Sequence, residues 1–340
     1  ISAYIDVLST YRGEPRDVSL LTKTAVANVI CSIIVGRRFE YDDAYFVTFI
    51  QKLDELFHLS ESSSLFTVFP WLRYLPGDLF DAKRRTGIYR YIMDLFCYHY
   101  INKAKQDGED VTESFITAYL QEEKKMKEQG QKSTLDDENL ARNIIALFLA
   151  GTDTTSTLLQ WFLLYMLHYP DAQSKIFAEI SEVIGLERPP SLQDKFKLHL
   201  TNAAIIETQR ISTTPFNLPH ACNEDTVVKG YTIPAGATVI TNLDSIFLNE
   251  NIWKDPWTLK PNQPTNQLTL HVCELHSCYP GRRACPGESL AKMEIILFVT
   301  SLLQRFELRP EEPGRLPSLE PTQGMIFAPK PFKIRCVDRR

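Results

Sequence analysis

From Thr134 to Tyr169 an apolar pattern of helical period runs for about 35 residues before Pro170 ends it, and Thr134 with Asp137 offers a capping box at its start. At 1.5 Å rise per residue such a helix is roughly 50 Å long, enough to cross a whole domain, so the other elements must be arranged around it. Its centre is polar: Ala150-Gly151-Thr152-Asp153-Thr154-Thr155-Ser156 lies between two apolar runs, 144–149 and 158–167. A membrane-spanning helix does not carry such a stretch at mid-depth without a partner. Two arrangements fit these residues. One is a kinked helix whose hydroxyls bond back to its own carbonyls. The other is a reaction site in which Gly151 leaves room beside the backbone while Asp153 and Thr154 supply an acid and a hydroxyl for ordered proton transfer.

With 340 residues, 44% of them hydrophobic, the chain can bury a large core, which excludes the disordered and fibrous classes. A net charge of -5 argues against nucleic acid, whose phosphates require a basic face. The seven cysteines, at 31, 97, 222, 273, 278, 285 and 336, are odd in number and lack a disulfide-framework spacing, as expected in a reducing compartment. Ile1 opens no signal peptide, and no apolar run predicts a membrane span.

Around the long helix, residues 18–35 predict a buried helix closed by Gly36, and a second helix is expected from Asp43 to His58. The aromatic, proline-broken stretch from Phe69 to Gly77 predicts a turn packed on a core, and the charge run from Glu122 to Lys132 a solvated linker. Further helices are expected over 171–184 and 194–211, and short alternating runs between Pro215 and Phe247 predict a small sheet. Glu207 and Arg210 stand three apart on the second of these helices, a spacing common to surface salt bridges.

Pro280-Gly281-Arg282-Arg283-Ala284-Cys285-Pro286-Gly287 directly precedes an apolar helix expected over 288–306. Cys285 therefore sits just ahead of a helix N-terminus, where free N–H groups and nearby guanidinium groups favour a thiolate. Gly281 and Gly287 let the backbone bend closely around the sulfur. On residue types alone, a metal-bound thiolate and a buried cysteine in a Gly-Pro turn both remain open.

The string G-x-R-x-C-x-G followed by Ala291-x-x-Glu294 resembles the haem-binding loop of the haem-thiolate monooxygenases, the cytochrome P-450 family. Residues 150–155 resemble that family's A-G-x-[DE]-T-T oxygen-activation motif position for position, and Glu207-x-x-Arg210 falls between the two in the family's order. The pattern is most similar to the animal microsomal family-two enzymes, which include fatty-acid hydroxylases. The resemblance implies a mainly α fold with small β sheets, a single haem-thiolate domain over 1–340 lacking its N-terminal anchor, first strands and first helices. It implies haem b (iron protoporphyrin IX), with Cys285 as axial iron ligand, Arg283 and His220 on the propionates, and Gly151, Gly281 and Gly287 beside the cofactor. Asp153 and Thr154 would manage protons, Thr213, Thr214, Phe216 and Leu218 would line the substrate pocket, and Glu207 and Arg210 would form a structural ion pair. The implied reaction inserts one oxygen atom from O2 into a hydrophobic substrate, a fatty acid or xenobiotic. NADPH would supply electrons through a cytochrome reductase, at the cytosolic face of the endoplasmic reticulum membrane in the full-length form.

The resemblance lapses at Pro261-Asn262-Gln263-Pro264, where the family expects P-E-R-F and an arginine completing a triad with Glu207 and Arg210, and at Cys278, where it expects phenylalanine. Asn262 to Tyr279 matches nothing in the family, and a local reading-frame error is adopted over a substituted exon or divergence. Lacking its third partner, the Glu207–Arg210 pair is expected to weaken the fold and its hold on haem. Two alternatives follow: a catalytically inactive haem-binding remnant, and a zinc-binding interaction module built on His271-x-Cys273-x-x-His276-x-Cys278, whose loops are short for tetrahedral closure.

Overall fold

The computed structural model describes residues 1–61, 69–75, 77–78, 80–107, 113–212, 220–261, 284–322 and 326–339. The chain is mainly helical with small antiparallel sheets. It packs as two compact units, Ile1–Gln160 with Pro331–Asp338, and Trp161–Lys330 with the last two residues.

The first unit contains α1 (Ser2–Thr10), α2 (Ser19–Ile34), α3 (Ala44–Glu61), α4 (Ala82–Ile92), α5 (His99–Asp107), α6 (Phe115–Glu128) and the first part of α7 (Asp137–His168). A π turn, Met93–Tyr98, joins α4 to α5 and turns Phe96 into the core. There Phe96 stacks on Phe49 at 4.0 Å and meets Phe148 of α7 edge-on at 5.2 Å. On α2, buried Asn28 grips the backbone of Phe39: its amide donates to the Phe39 carbonyl at 3.0 Å, and its carbonyl accepts from the Phe39 N–H at 2.7 Å. A polar residue is tolerated inside that helix because both halves of its amide are satisfied.

Three local expectations are corrected. The charge run from Glu122 belongs to α6 rather than a linker. Ser114 and Thr117 form a reciprocal capping box at its start, and Ile116 and Glu123 are buried, so the charges are the outer face of an amphipathic helix. The α7 start is capped by Asp136, whose Oδ1 accepts from the Asn139 N–H at 2.7 Å, not by a Thr134–Asp137 box. The stretch after Phe69 forms a 3-10 turn, Pro70–Tyr74, with Trp71 and Tyr74 60% and 80% exposed instead of packed on a core.

The second unit holds the rest of α7, α8 (Pro170–Val183), α9 (His199–Ile211), α10 (Asp244–Phe247) and α11 (Glu288–Arg305), with α8 and α9 packed on α11. The helix expected from Asp194 divides into a 3-10 turn, Leu192–Lys197, and α9. Its turn is held by a Ser191–Asp194 capping box and by the Arg188 guanidinium, which donates two hydrogen bonds to Asp194. The expected sheet forms as two antiparallel pairs, His220–Ala221 with Thr238–Val239 and Thr226–Val228 with Tyr231–Ile233. Lys229 and Gly230 close the second pair with φ of 48° and 86°, the left-handed turn geometry that suits strand twist.

Candidate active site

In the first unit the polar centre of α7 remains within one continuous helix. The Thr154 hydroxyl donates to the Ala150 carbonyl one turn back at 2.7 Å, and Thr154 is only partly buried, so the hydroxyl is restrained without being sealed in. Ile30 of α2 lies against Gly151. A Cβ at this position would lie 2.7 Å from Ile30 Cδ1 and 3.2 Å from Cγ1, so the room beside the backbone on that side is occupied by an α2 side chain. Thr152 Oγ1 is buried with no hydrogen-bond partner.

Asp153 is buried and pairs with the Lys23 ammonium of α2 at 2.6 Å. Lys23 also donates to Asp54 of α3, and Asp54 faces His58 Nε2 at 3.8 Å. Side-chain exposure rises along this line, from 8% at Asp153 through 18% at Lys23 and 39% at Asp54 to 66% at His58. Burial pushes the Asp153 carboxyl above the usual carboxylate range, with Lys23 opposing. For Lys23, burial works against the charge, but Asp153 and Asp54 overcome it and hold its pKa above the ordinary lysine value. Sequence reasoning missed Lys23 and Asp54, although Lys23 is the sole charged residue of α2 and stands out on that account.

In the second unit Cys285 lies just ahead of α11, exposed and free of any disulfide. Its carbonyl accepts from the Glu288 N–H at 3.4 Å, folding the chain into the helix, and a Cβ on Gly287 would lie 3.9 Å from its sulfur. An outward-facing thiol beside a glycine and a helix N-terminus fits a soft metal ligand, and so fits a haem iron. One helical stretch further on, Glu294 is buried, one carboxyl oxygen has no partner, and burial pushes its pKa up to about 8.

Glu207 and Arg210 of α9 form a buried ion pair rather than a surface one, with two bonds of 3.0 Å. The position near Gln263, where the family expects a third arginine, lies outside the described residues, and other groups meet the pair. Arg210 Nη1 donates to the carbonyls of Phe247 and Pro256 at 3.0 and 2.7 Å, its guanidinium lies 4.5 Å from the centre of the Trp253 ring, and the Lys260 N–H reaches Glu207 at 3.4 Å. Backbone carbonyls and an aromatic face surround the cation. His220 sits in the short strand pair opposite Val239, partly buried.

Arg283 and Gly281, the pocket-loop residues Thr213, Thr214, Phe216 and Leu218, the stretch 262–279 and its His271–Cys278 zinc pattern lie outside the described residues. Among the described residues no helix is long and apolar enough to cross a membrane.

The sequence profile described as Cytochrome P450 matches residues 1–336. Cytochrome P450 2J2 of Homo sapiens is 36% identical over 341 residues, covering 98% of this chain and 66% of that protein. Cytochrome P450 2J1 of Oryctolagus cuniculus is 36% identical over 96% of this chain and 65% of its own length, and cytochrome P450 2C23 of Rattus norvegicus 35% identical over 98% and 68%. The chain thus spans about two thirds of the length of these relatives. With a profile match along nearly its whole length and relatives at this identity, the chain belongs to the cytochrome P450 family.

Proposed function

We propose that residues 1–340 form one haem-thiolate monooxygenase domain, and that the whole protein inserts one oxygen atom from O2 into a C–H bond of an apolar substrate, a fatty acid or xenobiotic. The observation that carries this is Cys285, an exposed thiol free of disulfide directly ahead of α11, within the loop that resembles the family's haem-binding string. Cys285 Sγ would be the axial ligand of haem b, Gly287 would leave room beside that sulfur, and Arg283 and His220 would hold the propionates. When bound, the haem supplies dioxygen activation, favoured by electron density from the thiolate.

The chain's own residues have the remaining tasks. Asp153 stores a proton on its carboxyl, and Thr154 passes it on through Oγ1 after turning from the Ala150 carbonyl. Glu207 and Arg210 brace the segments whose carbonyls Arg210 binds. Thr213, Thr214, Phe216 and Leu218 would shape the apolar pocket. A reductase carrying electrons from NADPH would dock near Cys285, at the cytosolic face of the endoplasmic reticulum membrane.

The test is the reduced carbon monoxide spectrum of the full-length protein. Cys285→Ser should abolish the red-shifted band of thiolate ligation. Survival of that band, with loss in Cys278→Ser or Cys273→Ser, would assign the ligand to another sulfur. Thr154→Ala should keep the haem but divert electrons to peroxide, so product per NADPH falls.

A further inference from the structure

Two carboxylates, Asp153 and Asp54, share one ammonium, Lys23. With both ionised, the cluster carries one excess negative charge in a largely buried place. A single proton neutralises it. Among the described residues, the other titratable group facing the cluster is His58, at its solvent end. We propose that Lys23 and Asp54 are positioning residues that make Asp153 a one-proton reservoir, refilled from solvent at the Asp54–His58 end.

The assignment rests on the proton role given to Asp153 and Thr154 above. Of the two carboxyls, Asp153 is the more buried, and burial already pushes it upward, so the proton settles there. When Asp153 releases that proton to Thr154 Oγ1, whose own hydroxyl proton moves on as the new one arrives, Asp153 becomes a carboxylate, and the Lys23 ammonium, 2.6 Å away, holds the new charge. A proton from water at the exposed end then restores the neutral cluster. The relay passes through Lys23, which gives one ammonium proton to Asp153 as it takes one from Asp54, so that Lys23 keeps its charge and no other reactant is needed. Lys23 supplies the counter-charge, and Asp54 keeps that counter-charge from being spent wholly on Asp153.

The two partners therefore have opposite effects, which a merely structural role does not produce. Removing the cation in Lys23→Met leaves Asp153 without its counter-charge and should raise its protonation midpoint by more than one pH unit. Removing the competing carboxylate in Asp54→Asn, which preserves shape and a hydrogen-bond acceptor, should lower it by a similar amount. The readout is the protonated-carboxyl C=O stretch in infrared difference titration of the resting full-length protein, assigned by its disappearance in Asp153→Asn. Lys23→Arg, which keeps the cation, should leave the midpoint near that of the parent. In turnover both midpoint-shifting variants should give several-fold less product per NADPH. If the midpoint moves the same way in both variants, or in neither, while Thr154→Ala still uncouples, the reservoir is wrong and the proton route stands. If Thr154→Ala and Asp153→Asn both couple normally, the proton route itself fails, whatever the infrared titration gives.

Discussion

At the scale of single residues, two positions make opposite demands on their surroundings. Gly151 in a helix interior costs about 1 kcal/mol relative to alanine, so Gly151→Ala would ordinarily stabilise. Here the new methyl meets buried Ile30 at 2.7 Å, and overpacking of this kind costs about 1–3 kcal/mol. Gly151→Ala should therefore destabilise in denaturant unfolding, and the sign should reverse in an Ile30→Val background, which removes the obstructing Cδ1. A stabilising effect in the parent background would show that Ile30 moves aside freely. Glu294 has the opposite problem, a carboxyl with too few neighbours. Its folded-state pKa near 8 lies above the ordinary glutamate value, so the folded form binds its proton more tightly than the unfolded form does. Stability from this group is intact below the ordinary glutamate range and is lost as pH rises towards 8, by up to about 1.4 kcal/mol per pH unit, before levelling off. Glu294→Gln should flatten that slope, seen as melting temperatures that change less between pH 5 and pH 8, about the window the shift defines. An unchanged slope would mean that the carboxyl reaches water.

At the scale of elements, the α9 pair shows how a buried charge is held. Arg210→Ala should cost about 3–5 kcal/mol in unfolding free energy, because it leaves the buried Glu207 carboxyl without its counter-charge and takes a donor from two backbone carbonyls. A loss below about 1 kcal/mol would place the pair among solvent-screened bridges. The pair also shows where sequence reading stops. Periodicity and prolines located α2, α3, most of α7, α8 and α11, because in those stretches the buried face repeats in the residue types themselves. The motif letters likewise singled out Cys285, Asp153, Thr154, Glu207 and Arg210. Besides Glu207, however, Arg210 is held by two backbone carbonyls, and every residue has one, so no letter marks Phe247 or Pro256 as a partner. The short strands were legible as a region but not as two separate pairs, since alternation over two or three residues does not say which runs meet. Glu122–Glu128 was misread because a charged outer face looks the same in a helix as in a linker until Ile116 and Glu123 are seen buried beneath it.

At the scale of the whole molecule, 340 residues in two compact units exceed the size at which unfolding is ordinarily all-or-none. Calorimetry should give a measured enthalpy larger than the van't Hoff value. Gly151→Ala should move the component belonging to the first unit, and Glu294→Gln the component belonging to the second. A single transition with equal enthalpies, shifted alike by both variants, would mean that the units unfold as one. The division between them falls between Gln160 and Trp161, inside the hydrogen-bond ladder of α7 rather than in a linker. This bears on chimeras made by recombining the gene with those of relatives. A crossover at that point joins two halves of one helix from different parents, and a physical cut there would open about four amides and four carbonyls at the new ends. Crossovers are better tolerated at Gly130 and Gly185, turns with φ of 64° and 81° where open space surrounds the Cβ direction and the helices on either side can be inherited whole.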